Sequence, residues 1–262
     1  MTVFHRGKSE TSLPEDVRHV RSPLAAMPVR QFPTEVFNPP PEIVIHMIPM
    51  GADDTRAAVE AFRGRVTRFV CLSSGDVYRA YGVFMGLEPG PIEPGLLTES
   101  SPLRSILFPY RAQAKSTGDL GHYYEKIFVE QCALSAPDLP ATILRLPKVY
   151  GPGNNADLAT VHQFRHQPHW RWTHGYVENI AHAVVLAALH PLAAGRAYNV
   201  GEECTPTVAE RLRILPPSDI PTSSTPANFE QNIAYDTTLI RRELGYAEPI
   251  AYEEGIRRTL AG

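Results

Sequence analysis

Residues 68–82, RFVCLSSGDVYRAYG, decide the fold. The apolar run 69–72 is too short for a helix and is bounded by polar residues, which is typical of a buried parallel strand. Ser73 and Ser74 place hydroxyls at the carboxyl end of this strand, the edge at which open α/β sheets bind ligands. A plain Ser-Gly-Asp turn explains the same residues more simply. The rest of the chain must therefore decide whether this strand leads into a site.

Composition excludes several classes of protein. The chain has 262 residues, a formal net charge of −3 and 43% hydrophobic residues, which is enough for one large domain or a domain with a lobe. This charge argues against nucleic acid as a partner. Apolar runs are too short for a membrane span, and the N-terminus does not resemble a signal peptide. The three scattered cysteines predict no disulfide framework and a cytoplasmic location.

Several segments resemble one protein family. SSGDVYRAYG is similar to the Ser-Ser-x-x-Val-Tyr-Gly segment of the extended short-chain dehydrogenases, the NAD-dependent epimerase/dehydratase family. The resemblance continues in the same order through HYYEKIFVE (122–130), RLPKVYGPG (145–153), GYVENIAHAV (175–184), YNVG (198–201) and YDTTLIRRELGY (235–246). It implies an α/β fold, a Rossmann-like parallel sheet with helices on both faces and a small C-terminal substrate lobe. We expect the Rossmann-like core in 1–150 and the remaining sheet and lobe in 151–262.

The N-terminal segment bears on the cofactor. The resemblance implies that Thr2-Val3-Phe4 is the family's second strand, and the loop after this strand normally carries an acid for the NAD ribose. Here the loop carries Arg6 and Lys8 and no acid, which favours NADP over NAD, although a solvated basic turn fits equally well. The family's first strand and its Gly-x-x-Gly-x-x-Gly turn have no counterpart in the sequence. We therefore expect weak NAD(P) binding or none, from either a degenerate protein or a truncated gene model.

The catalytic motif of the family is only partly matched. The family places Tyr and Lys four residues apart on one helix, where Lys lowers the Tyr pKa and holds the nicotinamide ribose. Tyr, helped by Ser, transfers the proton. Ser74 and Lys126 match these positions, but His122 stands where the tyrosine is expected. Either His122 or Tyr123 could take its place, because both lie near Lys126 on a continuous helix.

Tyr123 is the better candidate of the two, since a neighbouring cation favours phenolate. Tyr124 is predicted to face away from Lys126, and a purely structural helix is the third possibility.

Other candidates follow from the same resemblance. His46 and Pro147 are expected beside the cofactor, although His46 is more simply explained as a packed histidine. Asp76, Tyr78 and Lys148 are expected near the substrate, with Lys148 replacing the family's usual Asn. Two further cations, Arg165 and Arg171, lie close in sequence to two tryptophans and fit a substrate wall.

The histidines around them lack carboxylate or cysteine companions, so no metal site is predicted. We therefore expect an NAD(P)-dependent epimerase, dehydratase or reductase acting on a sugar-like or polyol-type molecule. A degenerate family member with a binding or sensing role is the alternative. A homodimer through the helix that carries Lys126 is also expected from the resemblance.

Overall fold

The computed structural model describes residues 1–7, 13–24, 27–153 and 155–262. Its strands are β1 (Thr2–His5), β2 (Arg18–Arg21), β3 (Ile43–His46), β4 (Arg68–Ser74), β5 (Ala141–Leu146), β6 (Lys148–Tyr150), β7 (His174–Tyr176) and β8 (Arg196–Asn199). Its α-helices are α1 (Ala52–Phe62), α2 (Arg79–Phe84), α3 (Leu120–Tyr123), α4 (Lys126–Leu134), α5 (Ala159–Gln163), α6 (Val177–Leu189), α7 (Val208–Leu212), α8 (Thr238–Leu244) and α9 (Tyr252–Ala261). No helix in these ranges is long and apolar enough to cross a membrane.

The central sheet is parallel and has the order β3-β4-β5-β8. β4 lies inside it, with Phe69 opposite Ala141 on one side and Arg68 opposite Ile43 on the other. A strand paired on both sides needs apolar residues on both of its faces, which explains its continuous apolar run. The predicted α/β fold with a Rossmann-like parallel sheet is confirmed.

Alternate side chains of β4 reach two different cores. Phe69 and Cys71 pack with residues of α1 and α4, whereas Val70 and Leu72 pack with residues of α6 and α8. The predicted helices on both faces are therefore present. Each large apolar side chain buried in this way contributes about 1.5–3 kcal/mol. This packing fixes where β4 ends and so where Ser74 lies.

The N-terminal strands form a separate parallel pair. β1 and β2 pair with each other and with no strand of the central sheet. Within the described ranges, the outer edge of β3 also has no strand partner, and the side chains of Ile45, Met47 and Ile48 beside it are 40%, 58% and 55% exposed. The β1–β2 pair is therefore not hydrogen-bonded to the central sheet at the β3 edge.

Two helices differ from the sequence-based expectation. The sequence of 78–108 is rich in glycine and proline and has no clear helical periodicity of apolar residues. Nevertheless, α2 forms within it and is almost entirely buried. A helix buried on all sides has no polar face, so its sequence carries no helical alternation. The single helix expected after Asp119 is also wrong. Asp119 caps only the short α3, and the chain leaves the helix at Tyr124 and Glu125 before α4 begins.

Candidate active site

A buried carboxylate, two phenols and a serine meet where β4 ends. Asp76 follows Ser74 in a short 3-10 turn and is only 4% exposed. The hydroxyls of Tyr124 and Tyr110 both donate to Asp76 Oδ2, at 2.8 and 3.0 Å. Ser74 Oγ accepts a 3.3 Å hydrogen bond from the Asp76 amide and is close enough to Tyr124 to influence its pKa. The predicted Ser74 and Asp76 are thus brought together.

The tyrosine that reaches this group is Tyr124, contrary to the expectation from sequence. On a continuous helix, Tyr124 would lie about 200° around the axis from Lys126 and point away. Because Tyr124 and Glu125 are both extended, the phenol turns back toward β4 instead. Tyr123 ends α3 and is 38% exposed, and it lines a cavity together with Ser22, Leu24 and residues 27–31. The assumption of an unbroken helix caused this error.

His122 also lies away from the carboxylate. It is in α3, its ring packs edge-on against the Tyr123 ring, and its carbonyl accepts a 3.1 Å hydrogen bond from Arg111 Nε. The structure therefore brings neither of the two sequence-based candidates for the proton donor to Asp76.

Lys126 lies beneath the Tyr124 ring. Its ammonium is 5.5 Å from the ring centroid and donates to the carbonyls of Pro49, at 2.5 Å, and Leu72, at 3.0 Å. Burial lowers the pKa of this ammonium. Lys126 therefore joins the ends of β3 and β4 and supplies a positive charge below the site.

The electrostatics keep Tyr124 protonated. Burial and then the negative charge of Asp76 raise the pKa of Tyr124 well above its ordinary value. Burial also raises the pKa of Asp76, while its hydrogen bond from Tyr124 and the charge of Arg104 oppose that rise. Asp76 Oδ1 is buried and has no partner within the described residues. The pair is therefore a phenol that can donate and a carboxyl group that can accept, rather than the phenolate expected from Lys126.

Tyr78 belongs to a structural network rather than to the substrate side. It is fully buried, donates to Asn199 Oδ1 at 2.6 Å and accepts from Arg145 at 2.8 Å. Burial raises its pKa to about 12. Arg145 also forms two hydrogen bonds with the Glu130 carboxylate, at 2.9 and 2.7 Å, and Ser73 donates to Glu130 at 2.6 Å. This network anchors α4 to β4 and β5.

The two arginines expected in a substrate wall are engaged by the backbone. Arg165 donates to the carbonyls of His162, Ser218 and Ile220. Arg171 donates to the Thr205 carbonyl at 2.5 Å. All three guanidinium nitrogens of Arg165 are therefore engaged by carbonyls, which does not fit a substrate contact. The Arg171 side chain has one carbonyl partner and is 41% exposed, so its place in a substrate wall stays a prediction. No group of three possible metal ligands occurs among the residues that the structure describes.

Three of the remaining candidates, His46, Pro147 and Lys148, lie at or just after the carboxyl ends of β3 and β5 in the central sheet. Lys148 begins β6, which pairs with β7, and Pro147 immediately precedes it at the end of β5. His46 ends β3, where burial and then the charge of Lys126 lower its pKa to about 4, so it is neutral at pH 7. Arg6 directly follows β1, and Lys8 lies outside the described residues.

A nicotinamide cofactor fits this arrangement only in part. The resemblance implies that Lys126 would hold a nicotinamide ribose and that Ser74 would lie beside the reacting group. A pyrophosphate needs a glycine-rich turn at a helix N-terminus, whereas the connection from β3 to α1 contains only Gly51. A Cβ atom on Gly51 would lie 2.6 Å from the Tyr123 carbonyl oxygen, so this glycine makes room for protein and not for a phosphate. The β3–α1 connection therefore does not fit the pyrophosphate of a dinucleotide.

Tyr110 and Tyr124 are the site residues that sequence reasoning missed or set aside. Glutamate is not among the residue types preferred at the N-cap of a helix, so the sequence did not indicate that Glu125 caps a new helix. Its carboxylate accepts a 3.0 Å hydrogen bond from the Ile127 amide, which marks Lys126 as the start of a new helix.

Comparison with known proteins identifies the fold. No family model and no curated protein matches the sequence. Among solved structures, an epimerase from Methanothermobacter thermautotrophicus is similar with a TM-score of 0.69 and 17% identity, over 99% of this chain and 83% of that one. A UDP-glucose 4-epimerase from Thermotoga maritima, solved with UDP-glucose, gives 0.67 and 17%, over 99% and 89%.

A dTDP-glucose 4,6-dehydratase from Bacillus anthracis, solved with NAD, gives a TM-score of 0.68 and 14% identity, over 94% of this chain and 79% of that one. These likenesses extend over almost the whole chain. The chain therefore has the fold of the NAD-dependent epimerases and dehydratases, as the resemblance of its motifs predicted.

Proposed function

We propose that this chain is an NAD(P)-dependent, epimerase/dehydratase-like enzyme that acts on a sugar-type small molecule. The observation that carries the proposal is the Tyr124–Asp76 hydrogen bond of 2.8 Å beside Ser74 at the carboxyl end of β4. Active sites perturb the pKa values of their acids and bases in this way. The dependence on a nicotinamide cofactor rests on the likeness of fold.

The residues suit proton transfer at a carbon that carries a hydroxyl group. Ser74 would bind the substrate oxygen, and Tyr124, protonated at neutral pH, would donate to it. Asp76 would accept a proton from the substrate at Oδ1 and pass one to Tyr124 from Oδ2, so that the proton taken up balances the one that Tyr124 donates. An acid and a base held in contact allow both directions of transfer, which reactions that invert or eliminate a hydroxyl require.

NADP is proposed over NAD because Arg6 follows β1 where an acid would otherwise meet the ribose. A homodimer is proposed through α4, where Leu134 is 40% exposed and borders a groove with Leu103, itself 38% exposed. The NADP preference is inferred from the resemblance and from the charge of Arg6. The homodimer is inferred from the resemblance and from the exposure of Leu134 and Leu103.

A binding or sensing role without turnover is the second candidate. It is favoured by the carbonyl partners that already occupy Lys126 and by the lack of a phosphate-binding turn in the β3–α1 connection. A protein of this kind would hold a sugar-type ligand at Ser74 and Asp76 without changing it.

Product analysis separates the two candidates. The chain is incubated with UDP-glucose, UDP-glucuronic acid or dTDP-glucose, with NAD or NADP added, and the sugars are followed by proton NMR. The proposal predicts a new sugar with at least one of them and loss of that product in Asp76→Asn. The exposed ion-pair variant Glu254→Gln, in α9, serves as the matched control. Ligand binding with no product from any mixture would favour the sensing role.

A further inference from the structure

The break between α3 and α4 is held by a fully buried ion pair. The side chains of Arg104 and Glu125 are both 0% exposed and their charged groups are 2.9 Å apart. Glu125 is extended, with φ −154° and ψ 99°, and its carboxylate also accepts from the amides of Phe108, at 2.5 Å, and Ile127, at 3.0 Å. Four donor contacts thus fix this carboxylate outside a helical conformation.

Arg104 connects that carboxylate to the site. Its Nε donates to the backbone carbonyl of Asp76, whose side chain accepts the Tyr124 hydroxyl. The contacts form a closed ring, from Asp76 through Arg104 to Glu125, across the peptide bond to Tyr124, and back to Asp76. Arg104 and Glu125 are both charged, and hydrogen bonds between charged groups are stronger than those between neutral groups.

We propose that Arg104 and Glu125 are positioning residues, which break the helix before Lys126 and thereby hold the Tyr124 hydroxyl on Asp76. Their contribution to catalysis rests on the proposed function. Their effect on the position of the Tyr124 hydroxyl does not depend on it. Arg104 contacts the backbone of Asp76 and not its carboxylate. Glu125 affects the site through the adjacent Tyr124.

Stability alone does not account for such a pair. Two buried charges usually contribute no more than apolar residues of the same volume, so a buried pair indicates a specific geometry better than it indicates stability. Without the pair, Tyr124 and Glu125 can join α3 to α4 as one helix. The Tyr124 side chain would then point away from Lys126 and from the carboxyl end of β4.

The test measures Tyr124 in the intact chain with no ligand. Tyrosine is labelled with ¹³C at Cζ, the Tyr124 signal is assigned with Tyr124→Phe, and ionisation is followed by NMR between pH 8 and 11.5. The double variant R104M/E125Q removes both charges and so leaves no unpaired buried ion. The matched control is R211M/E202Q, which removes another buried pair, 3% and 9% exposed, in the C-terminal lobe.

We expect Tyr124 to stay protonated throughout this range in the wild type and in R211M/E202Q. In R104M/E125Q it should ionise near pH 10, the ordinary value for tyrosine, while circular dichroism shows a folded protein. Unchanged Tyr124 ionisation in folded R104M/E125Q overturns the proposal. If that variant does not fold, R104K decides, because it keeps the charge beside Glu125 but removes the guanidinium that donates to the Asp76 carbonyl. A smaller downward shift is expected in R104K, and no shift would overturn the idea. A shift without any detectable turnover would support the positioning and count only against the enzymatic function.

Discussion

The Tyr124 hydroxyl lies 2.8 Å from Asp76 Oδ2, although the two residues belong to segments 48 positions apart. Asp76 is held by the turn after β4, and Tyr124 by the break between α3 and α4. Burial and the negative charge of Asp76 keep the phenol protonated. Burial also raises the pKa of the Asp76 carboxyl group, a rise that the hydrogen bond from Tyr124 opposes. The pair is therefore poised for proton transfer in a way that neither residue would be alone.

Asp76→Asn should make the protein more stable at neutral pH. Since the folded-state pKa of Asp76 is raised above 3.8, the folded state binds more protons than the unfolded state. The free energy of unfolding then falls as pH rises from about 4 through the folded-state pKa. We therefore expect Asp76→Asn to unfold at a higher urea concentration than wild type at pH 7, because the variant does not have to keep a buried carboxylate ionised.

That gain should disappear below pH 4, where Asp76 is protonated in both states. Urea unfolding at pH 7 and pH 3.5 measures it, with the exposed Asp138→Asn as control. A variant that gains as much at pH 3.5 as at pH 7 would show that Asp76 ionises normally in the folded chain.

Glu130→Gln should be strongly destabilising, because it leaves the Arg145 guanidinium buried without its counter-ion. The side chains of this pair are each 6% exposed, and removing one partner of a buried pair costs about 3–5 kcal/mol. Thermal unfolding provides the measurement. Glu254→Gln, which breaks an exposed pair with Arg257, should leave the Tm almost unchanged. Equal small effects of the two substitutions would contradict the network described around Ser73.

How much the sequence could predict is clearest at β4 and at α4. The apolar run 69–72 identifies a buried strand because a strand paired on both sides must be apolar on both faces, and Ser74 and Asp76 follow from its end. Lys126 was identified through the resemblance of its segment to the family's motif. Tyr124 was set aside because its role depends on Arg104, which is 21 residues away from Glu125. Helical periodicity contains no information about such a long-range contact.

Tyr78 and Arg165 show that the sequence can also suggest a binding residue where the structure uses the side chain internally. Both have side chains suited to binding a ligand, and only the three-dimensional contacts reveal that Asn199, Arg145 and backbone carbonyls already satisfy them. Residue type indicates what a side chain can bind, whereas the fold decides what it does bind.

Binding of the dinucleotide should be weak in the 262-residue chain. Without a glycine-rich turn, the pyrophosphate has no set of backbone amides to bind. Titration calorimetry with NAD and NADP should give no binding in the micromolar range. Where weak binding is measurable, NADP should bind more tightly, and Arg6→Ala should weaken NADP but not NAD. Micromolar affinity for either nucleotide would refute the expectation.

The most direct test compares Tyr124→Phe with Tyr123→Phe in the NMR assay with the three nucleotide sugars. Removing a general acid typically lowers the rate about 10²- to 10⁴-fold. The account predicts a loss of that size in Tyr124→Phe and turnover within a few-fold of wild type in Tyr123→Phe. Full turnover in Tyr124→Phe, or a large loss in Tyr123→Phe, would contradict it.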